Sequence, residues 1–153
     1  MTAETTSQTI SKPSDRAAMA VLDPDECLVL LRWEVIGRLA VAVPGDGPSV
    51  VPVNIAVHEG TVVFSSGEGE KLRLLRDQPV SIQVDRFDLY RQIGWSVLVK
   101  GIAVEVDAAE LSAVELEPWA PDARRHLLRV TPTQITGRRL ALQQLPLDGR
   151  GYL

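Results

Sequence analysis

Residues 38–66 read RLAVAVPGDGPSVVPVNIAVHEGTVVFSS, and the period of their apolar positions decides the fold. Leu39, Val41 and Val43 alternate with Arg38, Ala40 and Ala42, the repeat of two expected of a strand with one buried face. PGDGP interrupts the pattern with glycines and prolines and predicts a hairpin turn. SVVPVNIAV resumes the alternation, HEG turns the chain again, and TVVFSS makes a third strand. Connections this short join antiparallel neighbours, because a parallel pair needs a crossover of about a dozen residues or more.

The pattern extends in both directions. Upstream, Asp23 is placed to cap a helix with Pro24 at its first position and Asp25 and Glu26 near its positive end. Leu28, Leu31 and Val35 form its expected buried stripe, and Gly37 its expected stop. Downstream, PVSIQVD sets Val80, Ile82 and Val84 against Ser81, Gln83 and Asp85. GWSVLVKGIAVEVD is a long strand whose central Gly101 predicts a bulge or a sharp coil. AAELSAVEL reads as a short acidic helix, and RRHLLRVTPTQITGRRL as a last strand interrupted at Pro132. Six strands joined mostly by tight turns close most easily into a small barrel, since closure removes exposed edges. The expected class is mainly β with short helices. Residues 1–20 are expected to be a disordered leader, 21–142 the folded domain and 143–153 a tail.

Composition narrows the function. The 153 residues are 45% hydrophobic and 24% charged, with a formal net charge of -4. No dense basic surface is available for nucleic acid. A single cysteine, Cys27, allows neither an internal disulfide nor a thiolate zinc site, so a reducing cytoplasm is the expected setting. No apolar run approaches the roughly 20 residues that span a bilayer.

Three stretches carry candidate chemistry. FSSGEGEKLRLL, residues 64–75, runs from strand to helix. One reading makes it an anion cradle, with hydroxyls from Ser65 and Ser66, backbone N–H groups near Gly67 and Gly69, and the charge of Lys71. The other makes it a glycine-rich connection with a solvated lysine; it is no P-loop, and Glu68 and Glu70 oppose a phosphate unless they point away. In VVPVNIAV, Pro52, Asn54 and Ala56 share a small, polar face on which a flat ring could lie, or which simply meets solvent. In GWSVLVKG, Trp95 and Ser96 open a strand, and the indole either packs in the core or walls a ligand site. His58 and His126 lie far apart with no paired-ligand spacing, so no metal site is expected. No catalytic side-chain constellation is legible, and such a protein would take its chemistry from a cofactor.

The order of these segments resembles the pyridoxamine 5'-phosphate oxidase-like family of FMN-binding split-barrel proteins, in particular its nitroimidazole-reductase-like branch. The resemblance covers about residues 22–140. It implies a six-stranded antiparallel split barrel that forms homodimers, with FMN in clefts between two subunits. It also implies that Pro52, Val53 and Asn54 lie along the isoalloxazine ring. Phe64, Ser65 and Ser66 would lead to the phosphate, Lys71 and Leu72 would close over it, and Trp95, Ser96 and Val97 would approach the flavin. The expected function is electron transfer from NADH or NADPH to a small oxidised acceptor; the alternative is a non-catalytic carrier of flavin, deazaflavin or haem. Many relatives place an arginine where this chain has Ser65 or Ser66, and the C-terminal stretch lacks the substrate-phosphate signature of true pyridoxamine-phosphate oxidases.

Overall fold

The computed structural model describes residues 17–111 and 125–142. Strand β1 (Ala17–Leu22) leads into helix α1 (Pro24–Leu31), followed by β2 (Ile36–Val43), β3 (Gly47–His58) and β4 (Thr61–Gly67). Helix α2 (Glu70–Leu75) precedes β5 (Gln78–Asp88), β6 (Ile93–Val106), a 3-10 turn at Ala108–Leu111, and β7 (Arg125–Leu142). Every pairing is antiparallel; the strand order is β1-β7-β4-β3-β2-β5-β6, and β6 also pairs with β7. That last pairing closes β2–β7 into the expected six-stranded barrel, and β1 adds a seventh strand along the second half of β7. It begins inside the stretch expected to be a leader, because AAMAVL is too short and too rich in alanine to announce a strand. The remaining leader, the tail and the rest of the acidic helix after Leu111 lie outside the described residues.

Local chemistry explains the turns. Asp23 and Glu26 form a reciprocal capping box: Glu26 N donates to Asp23 Oδ1 at 2.9 Å, and Asp23 N donates to Glu26 Oε2 at 3.1 Å. The helix stops at Leu31, short of Gly37. Trp33 N and Glu34 N donate to the carbonyls of Leu30 and Leu31, and Val35 O accepts from Ile55 N at 3.0 Å. The chain has therefore joined the sheet before Gly37. Val35 is exposed, and Cys27 takes its place beside Leu31 in the buried stripe. Gly37 instead faces the core, where a Cβ would meet Ile82 Cγ2 at 3.0 Å. HEG becomes a two-residue turn with Glu59 and Gly60 at φ 47 and 76, the left-handed pair that suits the twist of a hairpin.

Core side chains alternate as the sequence predicts. Leu39, Ile82, Val97, Val99, Leu128 and Val130 point into the barrel with no exposed surface. Because β2 and β5 are antiparallel neighbours, the helices that precede them plug opposite ends. Helix α1 inserts Cys27 and Leu31, and α2 inserts Leu72 and Leu75. The bulge expected at Gly101 is present, a register shift between Lys100 and Gly101 against β7. Pro132 does not end the last strand. It stands opposite Gly101 at that irregularity, where its missing N–H is tolerated.

Candidate functional site

The outer face of the barrel carries the polar half of each alternating strand. Pro52, Arg38, Gln83 and Leu98 are successive register partners across β3, β2, β5 and β6. The adjacent row continues Asp85–Ser96–Arg138–Val21 onto β7 and β1. Arg38 Nη1 meets Asp85 Oδ1 at 2.6 Å, and Gln83 Nε2 donates to Ser96 Oγ at 3.3 Å. Arg38, Ala40, Val50, Ser81, Gln83, Ser96 and Leu98 enclose a groove of about 350 Å³. Small side chains on β2 and β5 leave the depression, and amide and hydroxyl groups stand along one side of it.

The predicted site residues divide by strand parity. Pro52 is exposed, and Asn54 and Ser96 are half-buried on the outer face. Asn54 Nδ2 approaches Val35 O only at 3.5 Å. Val53, Phe64 and Val97 are buried with their side chains in the core, so only their backbones are open to a ligand outside the barrel. Leu72 is likewise a core plug. Ser65 and Ser66, consecutive in β4, face opposite sides. Ser65 shares the outer side of Val63, while Ser66 is buried on the side of Phe64 with its Oγ donating to Gly67 O at 3.3 Å. At most one of the two hydroxyls can serve a given anion. Lys71 is exposed on α2 and enters no ion pair with the described residues. Trp95 packs against the core and lines a separate apolar groove with Ile93, Gly94 and Leu140, on the opposite side of β6 from Ser96.

Sequence reading missed Arg38, Gln83 and Asp85. Their alternation was visible, but which strands lie side by side was not. It also missed a charged cluster beside the β4–α2 loop. His126 stands opposite Ser66, with Nδ1 2.5 Å from Glu105 Oε1 and Nε2 3.7 Å from Glu68 Oε1. Arg76 Nη2 lies 2.5 Å from Glu105 Oε2. Glu68, which would oppose an anion at the loop, is thus directed to His126.

The hydrogen bond from His126, with the positive charges of Arg76 and His126, holds the Glu105 carboxyl below the usual carboxylate range. A carboxyl with a lowered folded pKa contributes stability above its unfolded pKa of about 4.3 and loses it as pH falls through the folded value. Urea midpoints should therefore drop in acid, and Glu105→Gln should drop less over the same range. Parallel curves for the two proteins would exclude this role.

Burial, with Asp23 and Glu26 nearby, pushes the Cys27 thiol up, as befits a small core residue rather than a nucleophile. Among the described residues, no group of three or more His, Cys, Asp or Glu is placed to hold a metal ion, and no helix is long and apolar enough to cross a membrane.

Comparison with known proteins agrees with this architecture. The family model for pyridoxamine 5'-phosphate oxidase matches residues 23–139. An uncharacterized protein of Mycobacterium tuberculosis is 30% identical over 139 residues, spanning 85% of this chain and 91% of that protein. The solved FAD-binding protein from Mycobacterium smegmatis is 36% identical, with a TM-score of 0.71 over 81% of this chain and all of its own. A FAD-binding protein from Mesorhizobium loti is 27% identical, with a TM-score of 0.66 over 79% of this chain and 97% of its own. On its barrel, its groove and a match that runs through both, the chain belongs to the pyridoxamine 5'-phosphate oxidase family of split-barrel proteins.

Proposed function

We propose that the outer face binds a flavin, as FMN, and that the protein is an oxidoreductase passing electrons from NADH or NADPH to a small oxidised acceptor. The observation that carries this reading is the groove of about 350 Å³ with its Gln83–Ser96 wall. A flat apolar ring with a polar edge suits that donor set, which offers hydroxyl and amide groups beside Ala40, Val50 and Leu98. The solved relatives from M. smegmatis and M. loti, both FAD-binding by name, support a flavin, and FMN is the portion that FAD also contains.

Bound flavin would supply the redox chemistry that these side chains lack. The chain's own part is to hold it. Asn54 and Gln83 present amides to the ring edge, Pro52 and Ala40 give it a flat floor, and Lys71 offers charge to the phosphate, with one serine, Ser65, on the outer side. Two copies are proposed to pair through this sheet. Met19 and Val21 are 65% and 76% exposed, Phe87 is 50% exposed, and Val21 is two strands away from Ser96, with Arg138 between them. A reduced, buried Cys27 fits a cytoplasmic setting.

Addition of FMN or FAD to the purified protein should quench flavin fluorescence saturably, and NADH or NADPH should then bleach the visible band. Sedimentation of the same sample should give a dimer. Binding no tighter than about millimolar for both flavins would overturn the reading. A stable yellow complex that neither nicotinamide bleaches would instead leave a flavin carrier.

A further inference from the structure

The outer face opens into a second trough of about 360 Å³. Ala40 and Ser81 line both depressions, so the two are continuous across β2 and β5. Pro48 stands opposite Ala42, Pro79 opposite Ile102 and Ser81 opposite Lys100. The walls are therefore two prolines and a branched side chain, stiff apolar surfaces that need little ordering to receive a flat ring.

Lys100 gives this trough its charge. It is exposed and enters no ion pair with the described residues. Its carbonyl accepts from Thr133 Oγ1 at 3.1 Å, which anchors the backbone just before the register shift at Gly101. The chain as a whole has 20 acidic residues against 16 Lys and Arg, yet among the described residues no Asp or Glu lines either depression. The other lining cation, Arg38, is matched by Asp85. The field along the trough therefore favours one negative charge at Lys100.

We infer that this trough binds a small planar carboxylate, an aromatic acid whose ring lies between Pro48, Pro79 and Ile102 and whose carboxylate meets the Lys100 ammonium. A single ammonium beside apolar walls suits a monoanion with a hydrocarbon body better than a phosphate, which calls for several donors. The trough adjoins the proposed flavin groove through Ala40 and Ser81, but Pro48, Pro79, Ile102 and Lys100 belong to the trough alone, so a carboxylate there does not require a bound flavin.

The test uses benzoate as probe, with benzamide as its neutral counterpart, titrated into the full chain by calorimetry and by chemical-shift mapping, with and without FMN. Benzoate should bind at least about tenfold more tightly than benzamide, as expected for a charge-assisted contact, and should shift Ser81, Lys100 and Ile102. Lys100→Gln should abolish that preference, Lys100→Arg should keep most of it, and Arg38→Gln should leave it in place. Equal binding of acid and amide, no saturation by about 10 mM, or a loss that follows Arg38→Gln rather than Lys100→Gln would each overturn the inference. An unchanged benzoate affinity in protein that fails to bind FMN would support this site while removing the flavin reading.

Discussion

Phe64→Ala is expected to lower stability by about 3–5 kcal/mol, the range for deleting a large, fully buried aromatic side chain. Phe64 has no exposed surface and belongs to the main core cluster. It is paired with Ile55 on one side and Leu128 on the other, so the void would open at the middle of a closed barrel whose walls are hydrogen-bonded all round. Such walls collapse little, and the cavity cost is kept. Urea unfolding should show a lower midpoint with an unchanged slope, and Phe64→Leu should recover most of the loss. The resemblance to flavin-binding split barrels places this residue on the way to a phosphate; with its side chain buried in the core, any such contact would be made by its backbone. A Phe64→Ala protein with wild-type stability but impaired flavin binding would reverse that assignment.

Lys71→Ala should have the opposite signature. The side chain is exposed on α2 and unpaired among the described residues, so its removal should leave the unfolding midpoint nearly in place. FMN affinity should fall by at least about tenfold, since a charge-assisted hydrogen bond is worth about 1.5–3 kcal/mol, and the loss should shrink as salt screens the contact. Riboflavin, which has no phosphate, should bind the variant and the parent alike. An equal loss for riboflavin and FMN would mean that Lys71 does not act on the phosphate. Unchanged FMN binding would return residues 64–75 to a plain strand-to-helix connection.

The parts of the fold that were legible are those set by near neighbours in the chain. Alternation placed Leu39, Val41, Val80, Ile82 and Val84 inside the barrel, and Asp23 with Pro24 announced the start of α1. The bulge at Gly101 followed from a glycine in the middle of an apolar strand: an added Cβ there would lie 2.4 Å from Thr131 O. Errors arose where a local signal met a tertiary one. Gly37 resembles a helix stop, yet the backbone bond between Val35 and Ile55 had already drawn the chain into the sheet. Pro132 resembles a break, yet it falls on the one irregular step of β7.

The sequence by itself determined the six strands of the barrel, their inward faces and the antiparallel hairpins, because each depends on a period of two and on turn residues a few positions apart; β1 was not among them. Only the tertiary structure decided which side chains meet. Arg38 and Asp85 are 47 residues apart and Gln83 and Ser96 are 13 apart, and both contacts follow from the register between strands. Ser65 and Ser66 look like a pair in the chain and are separated by the sheet, since neighbours along a strand face opposite sides. A site on the outside of a barrel is assembled across strands, and register across strands is a long-range property that no local pattern encodes.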